Sequence, residues 1–338
     1  MAISNTIKSA ASAPRNILIT GVSGYVGLRL SIELSRRAEI NSLVGTDVRP
    51  PADSVPKLIF RQRSILDSHE DILRVHQIDG VVHLAFIVKP THKKMQAGRV
   101  DIEGAERLLE ACDKTAVRSI LYLSSHTVYG AFRDNPSALS ETAPLRALRG
   151  FQYAEDKIKV EGLLQKYSLE HPAAVVTVLR ACPVIGPGAA RTISTVMMQM
   201  PLMMRLKGYD PGMQFVHEDD LIEVMTQFVL HPSSGAFNLA GDGEVKYSEI
   251  ANMAGKKMIT LPEAFVRSLM AFTWKLQLQN QSPPAGLEFI KYPPLVSTAA
   301  LRDGLNYHIR HSSREAVAAY LSGVPGRHIV NGNLLTGT

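Results

Sequence analysis

A short apolar run, residues 16–20 (NILIT), passes straight into Gly21-Val-Ser-Gly24-Tyr-Val-Gly27 and then into a helical pattern over 25–36. Few chain paths satisfy that order. A buried strand must turn sharply into a helix, through a loop whose backbone comes too close to its surroundings for side chains. The helix N-terminus made in this way offers free N–H groups and the positive end of a dipole, which together seat a pyrophosphate. Gly21 and Gly24 permit the close approach, and Gly27 lets the helix settle on the strand. Ser23, Tyr25 and Val26 share the loop and join the candidate contacts. The spacing is GxxGxxG rather than GxGxxG, so its weight comes from its place between strand and helix.

The same alternation continues. Strand-like runs fall at 42–46, 58–60, 80–85, 119–123 and 174–179, with helical patterns at 67–76, 95–113 and 151–169 between them. Runs that are continuously apolar, separated by helices, imply a parallel sheet covered on both faces. The fold class expected is α/β, a Rossmann doubly wound parallel sheet with a smaller C-terminal substrate-binding lobe. Residues 1–14 read as a flexible leader and 15–185 as the Rossmann domain, with return segments near 214–240. The lobe takes 186–213 and 241–330, and beyond the return strand it reads as helical between proline-marked loops. The segment 261–276, broken by Glu263, Arg267 and Lys275, suits an amphipathic helix lying on a core.

Composition narrows the partners. Apolar residues make up 45% and charged ones 20% of 338 residues, enough for a full core. The net charge of +6 is spread along the chain, with no basic run longer than a pair. That argues against nucleic acid and is compatible with a phosphate-bearing small ligand. No apolar stretch is long enough for a membrane span. Two cysteines, Cys112 and Cys182, exclude a disulfide framework and fit a reducing, cytoplasmic setting. No metal is expected: the run His217-Glu218-Asp219-Asp220 is more simply a helix start capped by its acids.

Three positions carry the chemistry. Tyr153 and Lys157 stand four apart in a helical pattern and so share a face. A nearby ammonium favours the phenolate and lowers the tyrosine pKa, making it a usable acid or base. Ser125 follows the run 119–123, where strand ends of such a sheet form the ligand crevice, and a hydroxyl there can bond a reacting oxygen. Asp47 ends the second strand, 26 positions after Gly21, where a carboxylate holds ribose hydroxyls and repels a 2′-phosphate. This favours NAD over NADP, although Arg49 lies two residues on.

Taken in order, the glycine loop, His83-Leu84-Ala85, the segment 124–130 (SSHTVYG), Tyr153-x-x-x-Lys157, Leu179-Arg180 and the segment 215–220 (FVHEDD) resemble the extended short-chain dehydrogenases/reductases, the NAD-dependent epimerase/dehydratase family. The resemblance covers roughly residues 16 to 320. It implies Tyr153 as acid/base, Lys157 as its pKa-lowering partner on the nicotinamide ribose, and Ser125 as the group orienting substrate. It implies Ser64 and Ile65 beside adenine, and Leu84, Ala85, Phe86, Asp101, Leu123, Arg180, Pro183 and Val184 along the cofactor. Dimerisation through two helices, here 95–113 and 151–169, is the family's habit.

Several positions depart from the pattern. Ser64 stands where an aspartate is usual, and Asp101 and Pro183 where asparagines are. His126-Thr127 replaces the Asp-Glu of the dehydratases, which argues against dehydration. Met213 occupies the place of an arginine that grips a sugar diphosphate. His126, Thr127, Lys89, Met213 and Lys291 are the candidate substrate contacts, Lys291 or Arg302 supplying charge from elsewhere. The methionines at 197, 198, 200, 203 and 204 hint at an apolar lobe, with core packing as the plainer account. The leading expectation is an NAD-dependent sugar epimerase. A dehydrogenase or ketoreductase of a lipophilic, non-nucleotide alcohol is the alternative, and a non-catalytic NAD sensor a third.

Overall fold

In a computed structural model, residues 15–88, 91–92, 94–189, 195, 198–279, 283–323, 327–330 and 333–336 are described. Lys89, Met197 and the leader 1–14 lie outside the described residues. In chain order the strands begin with β1 (Asn16–Thr20), β2 (Ser42–Asp47), β3 (Leu58–Gln62), β4 (Gly80–His83), β5 (Ser119–Ser125) and β6 (Val175–Ala181). They continue with β7 (Val184–Ile185), β8 (Leu202–Leu206), β9 (Gly212–Met213), β10 (Val216–His217), β11 (Gly235–Leu239), β12 (Val245–Lys246) and β13 (Lys257–Leu261). The first six and β11 form one seven-stranded parallel sheet in the order β3-β2-β1-β4-β5-β6-β11. β1 pairs with β2 on one side and β4 on the other, so the topology reverses beside the glycine loop. Ligands of open α/β sheets bind at that crevice.

Alternation along each strand divides two cores. Ile17, Ile19, Val82, Leu121, Leu179 and Phe237 face α1 (Tyr25–Ser35) and the helix Glu218–Leu230. Leu18, Val81, Ile120, Tyr122, Val176 and Val178 face α2 (Glu70–Val75), α4 (Gly104–Asp113) and α5 (Gln152–Glu170). The sequence pattern over 95–113 predicts one helix, but the chain runs α3 (Lys94–Gly98), a π segment (Arg99–Glu103), then α4. The wider turn brings Asp101 inward, where its Oδ1 accepts the N–H of Ile87 at 2.8 Å.

The lobe contains more strand than its sequence suggests. β8 pairs in parallel with β13, register Met203↔Met258, and β9 pairs antiparallel with β12. The methionine-rich run hid β8, because methionine carries no strand periodicity of its own. Met198 and Met203 are buried in the lobe core beside Phe215, Tyr247 and Tyr320, while Met200 is exposed. The helix Glu263–Lys275 departs from expectation in the opposite direction. Only Val266 of it is buried, Met270 and Trp274 are half-buried, and Phe265, Leu269 and Phe272 look outward.

Arg180, expected along the cofactor, is instead a buried tie between layers. Its guanidinium donates to both carboxylate oxygens of Glu161, at 2.7 Å and 3.2 Å, to the Tyr129 hydroxyl at 2.9 Å and to the Glu141 carbonyl at 3.0 Å. Both charged side chains are 3% exposed. Removing one partner leaves an uncompensated buried charge, whereas replacing both by apolar groups does not. Glu161→Ala should therefore cost about 3–5 kcal/mol in urea titration, and Glu161→Leu with Arg180→Met should recover most of it. A single-variant cost under about 1 kcal/mol would remove the pair from this role.

Candidate active site

The glycine loop is shaped by backbone packed on backbone. Gly21 has φ +71°, and a Cβ there would lie 2.7 Å from the Ala85 nitrogen and 2.8 Å from the Leu84 carbonyl carbon. A Cβ on Gly27 would lie 2.4 Å from the Gly21 oxygen. α1 therefore starts against the end of β1, and the first intrahelical bond runs from the Leu28 N–H to the Gly24 oxygen at 2.9 Å. The N–H groups of Tyr25, Val26 and Gly27 come before that bond, and Gly24 supplies no side-chain cap. The first turn also holds no acid, so nothing repels an anion there. A pyrophosphate fits this cradle.

Asp47 closes the loop's far side. Its Oδ2 accepts the Ser23 N–H and its Oδ1 the Arg49 N–H, each at 3.2 Å, while the Ser23 hydroxyl donates to the Arg49 carbonyl at 2.6 Å. The Arg49 backbone is thus part of the loop. Ser64 turns the chain after β3, accepting the Leu66 N–H and donating its own to Asp67. Ile65 is buried against the opening of α4 at Gly104. Leu84, Ala85 and Phe86 continue from β4, the first two N–H groups reaching the Thr20 hydroxyl at 3.3 Å. Pro183 and Val184 follow β6, where the Pro183 carbonyl accepts the Val216 N–H.

Ser125, Tyr153 and Lys157 come together at the ends of β5 and α5. The Ser125 hydroxyl accepts from the Thr127 N–H at 3.2 Å and the Thr127 hydroxyl at 3.0 Å, and it hydrogen-bonds Tyr153. Lys157 is buried; its Nζ donates to the Leu123 carbonyl at 2.7 Å and lies 3.7 Å from the Phe86 ring centre. The same nitrogen is 5.7 Å from the Tyr153 ring centre. The electrostatics differ from expectation. Burial pushes Tyr153 up to about 12, opposed by its bond to Ser125, rather than down through the ammonium. Burial also pulls Lys157 down to about 7, opposed by Asp101 and Glu161.

Behind these residues is a polar tier of motif positions, Asp101 and His83, whose burial the motif does not reveal. Asp101 is buried, and burial raises it to about 7 against the Ile87 N–H and Lys157. His83 stacks on Tyr122 at 5.5 Å and bonds Thr20 through Nδ1 at 2.8 Å; burial, then Lys157, lower it to about 3. The signal for His83 was present in the sequence, as the one polar residue in an otherwise apolar strand end.

The expected substrate contacts fare unevenly. Thr127 is half-buried beside Ser125. His126 is buried, its ring lowered to about 4 by burial and hydrogen-bonded to the Ala181 backbone. Met213 pairs with Val245 across β9 and β12 and packs on the lobe core. Lys291 reaches Glu263 at 3.1 Å and Glu288 at 3.2 Å, so its charge is already matched, and Arg302 is exposed, 3.9 Å from Asp242. Facing Tyr153 are rings instead: Phe86 edge-on at 5.6 Å, Phe151 at 6.4 Å, and Phe289 of the lobe at 4.9 Å from Phe151.

Comparison with known proteins bears on the fold and the family. An uncharacterized protein of Mycobacterium tuberculosis is 24% identical over 321 residues, covering 92% of this chain and 84% of that one. The UDP-glucose 4-epimerase of Erwinia amylovora is 28% identical over 184 residues, 51% of this chain and 54% of the epimerase. The solved structure of MoeE5 in complex with UDP-glucuronic acid and NAD superposes with a TM-score of 0.71 at 21% identity, covering 91% of this chain and 98% of that one. The model of the NAD dependent epimerase/dehydratase family matches residues 17–240, and the chain belongs to that family.

Proposed function

We propose that this chain is an NAD-dependent oxidoreductase that interconverts a secondary alcohol and its ketone, and that the substrate is an apolar molecule rather than a nucleotide sugar. The observation that carries the substrate class is the ring cluster beside Tyr153. Phe86 and Phe151 meet its ring edge-on, Phe289 packs on Phe151, and the cation Lys291, two residues from Phe289, is held by two carboxylates. A sugar diphosphate needs an unmatched cation, and Met213 stands where a motif arginine would supply one.

The bound nicotinamide would accept or deliver hydride at the carbinol carbon. The chain's residues handle the proton. Tyr153, held up to about 12, carries its proton at neutral pH and is placed to donate it to a ketone oxygen that Ser125 orients. In the reverse direction the same oxygen takes the alcohol proton as hydride leaves. Lys157, anchored on Leu123, stands over Phe86, where a bound ribose would reach it. Asp47 and the N-terminus of α1 would hold adenosine ribose and pyrophosphate. The second reading, sugar epimerisation, draws on the Erwinia relative's name. The third, a sensor without catalysis, leaves the Ser125–Tyr153 bond without a purpose.

Net NADH formation with a panel of apolar secondary alcohols, set against a panel of UDP-sugars, separates the first two. Turnover of alcohols is expected; inversion of a UDP-sugar with no net NADH would overturn the reading. Tyr153→Phe should lower turnover by about a thousandfold while NAD binding persists. Unchanged turnover in that variant would exclude Tyr153 as the proton donor.

The buried acid has a consequence for stability. Asp101 is raised from 3.8 to about 7, so over that interval the folded chain holds a proton that the unfolded chain has released. The stabilisation is full below the ordinary carboxylate range and is lost as pH rises through about 7. Lys157, lowered from 10.5 to about 7, acts above that point, where rising pH restores stability. Thermal melts should therefore show a minimum near neutrality, and Asp101→Asn should flatten the acid-side limb by a few kcal/mol at most. An identical pH profile in the variant would remove Asp101 from this role.

A further inference from the structure

The helix Glu263–Lys275 turns its apolar side outward. Val266 and Met270 pack inward on Leu206 and Leu287, while Phe265, Leu269, Phe272 and Leu276 follow one another along the outer face. These four are 55%, 49%, 59% and 53% exposed. Leu278 beyond the helix is exposed too, as are Leu202 and Ile259 on the β8–β13 ribbon that leads into it through Pro262. Scattered exposed leucines need no explanation, but three turns of one helix face do.

Along residues 257–278 the unmatched charges have one sign. Lys257 opens β13, Lys207 follows β8 and Lys275 ends the helix; all three are exposed, and among the described residues none makes an ion pair. Between residues 257 and 278 the single acid is Glu263, and it is matched by Arg267 and Lys291. We propose that this face docks on an anionic lipid bilayer, lying in the interface plane with phenylalanine and leucine inserted and the lysines at the headgroups. The helix is too short to cross, and no helix among the described residues is long and apolar enough to do so.

A second copy of the chain fits the face less well. Closed pairing would set the face against itself, bringing the same lysines opposite one another. The face also adjoins the cleft. Trp274 on this helix stacks on His92 at 4.1 Å, in the segment after β4, and Arg267 bonds Glu288, which neighbours the Phe289 that packs beside Phe151. A docked molecule would hold its aromatic cleft close to the bilayer. The proposal stands apart from the substrate reading, since lipid binding is measured without turnover.

The test is flotation of the full chain with vesicles of phosphatidylcholine, alone or mixed with phosphatidylserine. The wild-type chain is expected to float with the mixed vesicles, weakly with phosphatidylcholine alone, and less as salt rises. Phe265→Ser with Phe272→Ser should lower the partition by tenfold or more, about the loss of two inserted rings. Lys257→Gln with Lys275→Gln should lower it about fivefold per lysine. Unchanged NAD binding in each variant shows that it folds. A wild-type chain that stays with the sedimenting fraction overturns the proposal. So does a dimer in analytical ultracentrifugation that the phenylalanine variant alone dissociates, which would assign the face to a second copy.

Discussion

Everything about the cleft follows from the backbone contact at the end of β1. With Gly21 against the Leu84–Ala85 peptide and Gly27 against the Gly21 carbonyl, no side chain intervenes between loop, helix and neighbouring strand. That contact fixes where α1 begins and which way its free N–H groups point. It also holds β1 and β4 in register, Thr20 opposite His83, at the place where strand order reverses. The crevice is therefore a product of close packing. The residues that would grip a dinucleotide are positioned before any ligand contributes.

A second constraint is the burial of Lys157. A four-carbon stem ending in an ammonium enters the space behind Tyr153 and donates to the Leu123 carbonyl. The rings of Phe86 and Tyr122, at 3.7 Å and 4.5 Å, supply the rest through their negative faces. Burial draws Lys157 down and Asp101 up, both to about 7, and the charge of each opposes the shift of the other. The π segment is what brings Asp101 inward, onto the Ile87 N–H. An asparagine there would accept the same Ile87 N–H without carrying charge. The aspartate alters the electrostatics of the site and leaves its scaffold alone.

How much of this is legible in the sequence depends on range. The glycine loop, the continuously apolar strands and the spacing of Tyr153 and Lys157 are local patterns, and the sheet and the cluster of Ser125, Tyr153 and Lys157 follow from them. Arg180 shows where local reading stops. Its neighbours in the motif suggested a place beside the cofactor, yet its partners Glu161, Tyr129 and Glu141 come from three distant segments. Lys291 is similar, since its neutralising Glu263 lies 28 residues away. The tyrosine pKa was misjudged for a related reason. Spacing on a helix reveals that an ammonium is near, but burial, which outweighs it, is a property of the whole fold. The strand pairing of β8 with β13 is non-local again, hidden in a methionine run without alternation.

The excess positive charge is where sequence and structure diverge most usefully. A net +6 fits a phosphate-bearing substrate as long as the location of the cations is unknown. In the fold, three cations of this region are spent: Arg180 on Glu161, Lys291 on Glu263 and Glu288, and Lys157 on a carbonyl and two rings. Lys207, Lys257 and Lys275 lie outside, around an apolar helix face. An unmatched ammonium acts at a range of about 8 Å in physiological salt, so this outer set is open to a partner in solution. A cleft lined with rings and a cationic, apolar exterior serve the same kind of molecule from two sides. On the two proposals, the first would shelter an apolar substrate from water, and the second would bring the protein to the surface where such a substrate dissolves.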